Sequence, residues 1–236
     1  MKLPVQKALH DLANPEKKAI FQKFFKTGPG QYGEGDVFLG LSVPQTRQVA
    51  KRHAGLSFKD LELLLASPIH EERLLALEVL CMQYKKAPKQ VVNFYLSHLG
   101  GVNNWDLVDQ SAPKILGDFL LNEPRDILYD LVKSPVLWER RISIIATLAF
   151  IRNDDFKDTL NLAEQLLGDK HDLMHKAVGW MLREVGKKDR PTLEEFLKKH
   201  STVMPRTALR YAIEHFTKAE REVWMRKYSC NPTEKQ

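Results

Sequence analysis

The sequence contains little of what secreted, disulfide-bonded or membrane proteins need. Among its 236 residues there are two cysteines, Cys81 and Cys230, which are too few and too far apart to form a disulfide framework. No segment approaches the roughly 20 consecutive apolar residues that cross a bilayer. Residues 1–18 contain no apolar core of signal-peptide length. We therefore expect a protein of the reducing cytoplasm that has no membrane partner.

Strand signals are missing as well, because the sequence shows neither a period-two alternation nor a two-residue hairpin turn. Apolar residues instead recur at every third or fourth position, the period of an amphipathic helix. The segments that show this pattern are 70–86, 137–152, 172–188 and 206–216. In the first of them the apolar positions include Leu74, Leu77 and Leu80. The chain is therefore predicted to be all-helical.

Proline and capping residues mark where several helices should begin. Proline is favoured in the first turn of a helix, and Asn or Ser before it can cap the free N–H groups. The predicted starts and joints are Asn14-Pro15, Ser134-Pro135, Pro88, Pro124 and Pro191.

The helical segments open at regular intervals of 34 residues. The predicted openings lie near His70, Asn104, Trp138, Asp172 and Arg206. Each interval has room for two helices and two short turns, which is typical of an α-helical repeat array. The Trp, Gly and Tyr pattern of tetratricopeptide repeats is absent, so a HEAT-like superhelix is the better match.

A glycine-rich segment, 27–36, interrupts the helical pattern and is predicted to be a loop. A phosphate-binding loop would continue into Lys and Ser or Thr, and this segment does not. No Gly/Ser linker divides the remainder, so we expect residues 1–236 to form a single helical-repeat domain.

Positive charge is concentrated in the last third of the chain. The net charge is +6, and residues 170–236 alone hold 15 Lys and Arg against 9 Asp and Glu. A localised basic surface suggests a polyanion such as DNA, RNA or an anionic membrane, whereas a charge that only aids solubility is the alternative. Combined with the repeats, it predicts an all-α superhelix whose concave basic face binds DNA.

The segment 103–109 holds the strongest cluster of functional residue types. On a helix, Trp105 and Asp109 are four residues apart and share a face. Pro113 would clash with the Asp109 carbonyl, so the helix should bend or restart there. Taken alone, a tryptophan at helical spacing is more often part of the core, and an aspartate near a helix start is more often a cap.

Three further clusters contain residues suited to DNA. Arg141 can bind a phosphate in bidentate fashion, with a surface ion pair as the alternative. Trp180 follows Gly179, which implies close approach of another backbone or of a ligand, and simple helix–helix packing would explain the glycine equally well. Arg206 and Arg210 place like charges on one helical face, an arrangement that a bound phosphate would stabilise.

Other kinds of chemistry find little support in the sequence. His171 and His175 have a metal-ligand spacing, but the segment is not HExxH and no third ligand is evident. No nucleophile motif such as GxSxG is present. We expect neither a metal nor a small-molecule cofactor.

Five segments together resemble the AlkD-type DNA alkylation-repair glycosylases. They are 32–47, 103–121, 137–152, 175–188 and 204–216, and they cover most of the chain in order. The resemblance implies a HEAT-like fold around duplex DNA and a monofunctional glycosylase that excises positively charged N3- and N7-alkylated purines without a base-flipping pocket. It also implies that double-stranded DNA with alkylated purines is the partner. We expect a cytoplasmic monomer that associates with the nucleoid when bound to DNA.

The resemblance also assigns roles to residues. Trp105 would stack at the lesion, Asp109 would be the catalytic carboxylate, and Trp180 would be a second aromatic contact. Arg141 would contact the DNA backbone. Phe24 is the best match to a position that is often tyrosine in the family, so any role of that hydroxyl is lost here.

Two other functions compete with the glycosylase. One is a DNA-binding repeat protein without catalysis that recognises distorted or branched DNA, which would bind in a salt-sensitive way and release no base. The other is a protein–protein scaffold, a common use of helical repeats.

Overall fold

The computed structural model describes residues 3–229, and the regular elements in this part of the chain are all helices. Within it the only extended pairing is a single parallel bridge between Val37 and Ile69, and no strand is formed. The predicted all-α fold class is confirmed. Cys230 lies outside the described residues. None of the described helices is long and apolar enough to cross a membrane.

The chain divides into two compact units, residues 1–119 and residues 120–236. The prediction of a single domain over 1–236 stays a prediction.

The first unit contains seven described α-helices and three short turns of other helical type. The α-helices are α1 (Pro4–His10), α2 (Pro15–Phe24), α3 (Val43–Arg52), α4 (Phe58–Leu65), α5 (His70–Gln83), α6 (Pro88–Ser97) and α7 (Trp105–Ser111). The turns are 3-10 at Tyr84–Lys86 and Leu99–Gly101, and π-helical at Pro113–Gly117.

The second unit contains the remaining described helices. They are α8 (Asp126–Leu131), α9 (Leu137–Ala146), α10 (Leu148–Arg152), α11 (Lys157–Gln165), α12 (Asp172–Lys188), α13 (Arg190–His200), α14 (Arg206–Ala212) and α15 (Lys218–Ser229).

The predicted 34-residue spacing is found in the helix starts. Each predicted opening lies within one residue of an observed one, and the observed first residues are His70, Trp105, Leu137, Asp172 and Arg206. The start at Pro15 is also confirmed, since the Asn14 side chain accepts a hydrogen bond from the Lys17 N–H at 2.9 Å. The predicted cap at Ser134 is two residues early, because α9 is preceded by Val136.

Helix α5 forms the core of the first unit. Its predicted apolar positions, Leu74, Leu77 and Leu80, are buried, and so are residues on its other faces, because α3, α4 and α7 all pack against it. A helix buried on every side must also find partners for its polar residues. Two of these polar residues, His70 and Arg73, are bonded to side chains from outside α5.

The segment 27–36 forms turns without a regular element, as predicted for a loop. Gly33 donates its N–H to the Lys26 carbonyl at 3.1 Å, and a Cβ there would lie 2.4 Å from the Phe25 carbonyl oxygen. Just after the loop, Gly40 has φ +90°, and a Cβ would lie 2.2 Å from the Asn14 carbonyl oxygen. The absence of a side chain at these two glycines therefore allows the loop and the following segment to lie close to the ends of α2.

Candidate active site

Trp105 and Asp109 lie on the short helix α7, at the positions that the sequence predicted to share a face. Asn104 is the N-cap, is fully buried, and accepts a hydrogen bond from the Trp105 N–H at 2.9 Å. The side chains of Trp105 and Asp109 are both half-buried. The helical register breaks at Pro113, as predicted, because Pro113 has no N–H to donate to the Asp109 carbonyl. A π-helical turn follows, with the Gly117 N–H bonded to the Ala112 carbonyl at 2.9 Å.

Two phenylalanines at the end of α2 contact Trp105. Phe24 is 62% exposed and meets the indole edge-on, with ring centroids 6.0 Å apart. Phe25 is buried and stacks on Trp105 with centroids 5.2 Å apart and an interplanar angle of 8°. The structure therefore brings the predicted pair Phe24 and Trp105 together, and it adds Phe25 as the residue that supports the indole face.

A buried network of charged and polar side chains lies beneath this aromatic pair. We call it the His70 network, and its members are Asp36, His70, Arg73, Asn104 and Asp106. The ring of His70 bridges two carboxylates, with Nδ1 3.1 Å from Asp36 Oδ2 and Nε2 2.8 Å from Asp106 Oδ2. Arg73 Nη2 donates to Asp36 Oδ1 at 2.6 Å, and Asn104 Nδ2 donates to Asp36 Oδ2 at 3.2 Å. Every member of the network is buried.

The geometry of the network favours a protonated imidazole, since with both carboxylates ionised only the cation has an N–H donor for each of them. Burial by itself lowers the pKa of His70, but the adjacent Asp106 carboxylate and the hydrogen bond to Asp36 outweigh it and raise the pKa to about 9. For Asp36, burial by itself raises the pKa of the carboxyl. The hydrogen bond from His70 and the charge of Arg73 outweigh burial, so the pKa of Asp36 is lowered overall. Two cations and two anions thus neutralise each other beneath Trp105.

Two basic side chains contact Gln110, the residue that follows Asp109 in the sequence. The side-chain oxygen of Gln110 accepts hydrogen bonds from Arg47 Nη2 at 3.1 Å and from Lys114 Nζ at 3.2 Å. Arg47 is also paired with the buried Glu78 at 2.7 Å. The residue that follows Asp109 is therefore held between two cations on the first unit.

Arg141 lies on α9 of the second unit and is only 4% exposed. Its Nη1 donates to the Leu173 carbonyl at 2.6 Å. The neighbouring Arg140 forms an ion pair with Asp169 at 2.7 Å. A phosphate contact by Arg141 stays a prediction, and it requires the phosphate to reach a largely covered guanidinium.

Trp180 is half-buried on α12, and its Nε1–H donates to Glu184 Oε1 at 3.2 Å. The preceding Gly179 allows close helix packing, because a Cβ there would lie 2.5 Å from the Ala208 carbonyl oxygen and 2.5 Å from Tyr211 Cβ. This glycine is therefore explained by the packing of α12 against α14, in which another backbone comes close. The indole edge is fixed by Glu184, which leaves the role of Trp180 on DNA a prediction.

Arg206 and Arg210 are exposed on α14, one turn apart, while Ala208 and Leu209 pack inward. Among residues 3–229 neither arginine is in an ion pair. Both side chains are therefore accessible to an anion, and their predicted contact with DNA phosphate stays a prediction.

The two histidines with metal-ligand spacing have other partners. His171 Nδ1 accepts from the Leu173 N–H at 3.2 Å and caps α12, and His175 Nε2 lies 2.5 Å from the Asp169 carbonyl oxygen. Within the described part of the chain no group of three His, Cys, Asp or Glu is placed to hold a metal ion.

Sequence reasoning missed the His70 network. The signal was available, because Asp36, His70 and Asn104 are each separated by 34 residues, the interval predicted for a repeat array. The spacing predicts equivalent positions, but it does not predict that their side chains bond to each other.

The chain is similar to known proteins of alkylation repair. The family model described as "DNA alkylation repair enzyme" matches residues 5–216. A solved structure described as a predicted DNA alkylation repair enzyme from Enterococcus faecalis is 20% identical, with a TM-score of 0.73. The match covers 87% of this chain and 97% of that one, and at this identity it shows the fold alone. No curated protein matches the chain. The family match spans most of the sequence, and the chain therefore belongs to the family of DNA alkylation repair enzymes.

Proposed function

We propose that this protein is a monofunctional DNA glycosylase that hydrolyses the N-glycosidic bond of positively charged N3- and N7-alkylated purines in duplex DNA. The observation that carries the proposal is the exposed face of α7 and α2, where Phe24 meets Trp105 and Asp109 follows Trp105 by one helical turn. The proposal includes excision without a pocket for a flipped base.

The chemistry of the lesion explains why so few groups are needed. Alkylation at N3 or N7 makes the purine a cation and a good leaving group, so no general acid has to protonate it. Breaking the glycosidic bond leaves oxocarbenium character on the deoxyribose. The Asp109 carboxylate would stabilise that charge and orient the attacking water. The electron-rich faces of Trp105 and Phe24 would attract the same cationic centre.

The size of the electrostatic effect makes one carboxylate sufficient for a large part of the rate. Two unit charges about 4 Å apart interact by roughly 4 kcal/mol at an effective dielectric constant near 20. An energy of that size corresponds to about a thousandfold in rate. In this proposal the second unit contributes Trp180, Arg141, Arg206 and Arg210 as contacts to the lesion-bearing DNA.

The first test is base release from duplex DNA that contains N-methylpurines, with the parent protein and with Asp109→Asn. We expect the parent to release 7-methylguanine and 3-methyladenine, and the variant to release them about a thousandfold more slowly in single-turnover reactions. The affinity of the variant for DNA should stay within a few-fold of the parent's. Asp130→Asn, which changes an exposed aspartate near the end of α8, is the matched control and should behave as the parent does.

The outcomes separate the competing functions. Release at the parental rate by Asp109→Asn would refute the catalytic assignment of this residue. No release by either protein, with salt-sensitive DNA binding intact, would support the non-catalytic DNA-binding function instead.

A further inference from the structure

The His70 network lies directly under the first turn of α7, where Trp105 begins the helix. We propose that His70 is a positioning residue: its imidazolium, bridging Asp36 and Asp106, holds Trp105 and the first turn of α7 in the orientation that is used on DNA. This inference rests on the proposed function for its link to catalysis, and on the structure alone for the link between His70 and Trp105.

The backbone is anchored on both sides of Trp105. On one side Asn104, the N-cap, donates to Asp36 at 3.2 Å; on the other side Asp106 accepts from His70 at 2.8 Å. Asp106 also accepts from the Leu107 N–H at 2.9 Å, so its carboxylate links the helix start to the imidazole. The residues before and after Trp105 are therefore both tied to the pair of His70 and Asp36.

The indole ring is linked to the same imidazole through stacked rings. His70 stacks on Phe38 with centroids 4.5 Å apart, and it lies 5.1 Å from Phe25. Phe25 in turn stacks in parallel on Trp105 at 5.2 Å. A displacement of the imidazole would change both the backbone anchors and the ring that supports the indole face. Phe24 contacts both Phe25 and Trp105 and keeps its exposed surface.

The positive charge of His70 allows one ring to bond to both carboxylates. The charged groups that face it are Asp36 from the loop, Asp106 from α7 and Arg73 from its own helix; the end of α2 and the segment after the loop contribute the rings of Phe25 and Phe38. A neutral imidazole can donate to only one of the two carboxylates, which would leave the other buried without this partner. Since the pKa of His70 is raised to about 9, the arrangement is intact at neutral pH and is lost as the pH rises through about 9.

The test titrates His70 in the folded protein and does not replace it. A substitution of His70 would leave two buried carboxylates with one arginine, and loss of folding would then hide any effect on Trp105. The titration of His70 is followed by NMR of its ring protons between pH 6 and 10, in parallel with tryptophan fluorescence and single-turnover base release. Non-enzymatic base loss from the same DNA is subtracted. Trp105→Phe identifies the part of the fluorescence that belongs to Trp105. Far-UV circular dichroism monitors global folding over the same range.

We expect three signals to share one midpoint near the pKa of His70. The Trp105 fluorescence should change with the imidazole titration, and the rate of base release should fall roughly tenfold by one pH unit above the midpoint, as one essential proton requires. Asp106→Asn keeps the side-chain shape but removes the adjacent negative charge. It should move all three midpoints together to lower pH by at least about one unit.

A matched control is His98→Gln. His98 lies 3.7 Å from Glu62 and stacks on Phe94, so it belongs to neither the His70 network nor the rings that connect His70 to Trp105. The variant should leave the three midpoints in place. A Trp105 signal that ignores the titration of His70, or a rate profile that does not follow the shifted midpoint in Asp106→Asn, would overturn the inference. If the parent releases no base at any pH, the proposed glycosylase function fails, whereas the coincidence of the NMR and fluorescence midpoints still decides whether His70 positions Trp105.

Discussion

Single residues of α5 place their charges inside the first unit, and each charge is satisfied by a specific partner. Glu71 is 1% exposed, and its carboxylate accepts the N–H groups of residues 39, 40 and 41 at 2.9, 2.8 and 3.1 Å. The Leu39 carbonyl in turn accepts from the Asn14 N–H at 2.9 Å, just before α2 begins. A buried charge is tolerated when it is paired or hydrogen-bonded. Glu71 therefore fixes the segment that sets the start of the helix carrying Phe24.

Replacing this carboxylate tests its contribution at the residue scale. Glu71→Gln retains the shape but leaves one acceptor oxygen, and it points a buried amide donor toward backbone N–H groups. We expect the free energy of unfolding to fall by about 3 kcal/mol, the cost of breaking buried charge-assisted hydrogen bonds. Urea denaturation monitored by circular dichroism measures it. Glu123→Gln, at an exposed position, should change stability by less than about 0.5 kcal/mol; equal effects of the two variants would contradict this role of Glu71.

Elements were predictable where their signals are local in the sequence. The 34-residue spacing placed five helix starts to within one residue. Pro15 and Pro88 also begin helices as predicted, because capping residues and prolines act on the turn in which they occur. Pro124 lies two residues before the start of α8. Trp105 and Asp109 were predicted to share a helical face for the same local reason. The predicted cap at Ser134 was two residues early, since Ser134 accepts from the Val136 N–H at 3.0 Å and so forms a turn before α9.

At the scale of elements, the contact of α12 with α14 depends on one missing side chain. Ala is favoured over Gly in a helix by about 1 kcal/mol. In Gly179→Ala, however, the new Cβ would lie 2.5 Å from a backbone oxygen of α14 that cannot rotate away. We expect a net loss of about 2 kcal/mol in the free energy of unfolding. Gly168→Ala is the control, as a Cβ there meets nothing within 4 Å, and it should be nearly neutral. Unchanged stability of Gly179→Ala would show that α14 shifts at little cost.

For the molecule as a whole, the sequence predicted the class of partner and the fold class but not the long-range contacts of the site. The excess of positive charge after residue 170 indicated a polyanion, and membership of the alkylation repair family agrees with DNA. The bonds of His70 to Asp36 and Asp106 depend on which side chains meet between distant parts of the chain, and a single sequence does not show this. Burial of Arg141 depends on such packing too. The roles of the site residues on DNA stay predictions, as do the concave face, the monomeric state and the cytoplasmic location.

The basic surface of α14 can be separated from general positive charge by the salt dependence of DNA binding. Each phosphate neutralised by the protein adds about 0.9 to the slope of log affinity against log salt. If Arg206 and Arg210 each contact a phosphate, the double variant Arg206→Ala, Arg210→Ala should reduce this slope by about 2 and weaken binding regardless of sequence. The measurement is fluorescence anisotropy with duplex DNA over a salt series. Lys198→Ala, Lys199→Ala removes the same charge from the last turn of α13. An equal fall in slope for both double variants would mean that DNA responds to the net charge of the second unit, and that the exposed arginine pair of α14 is not a specific phosphate contact.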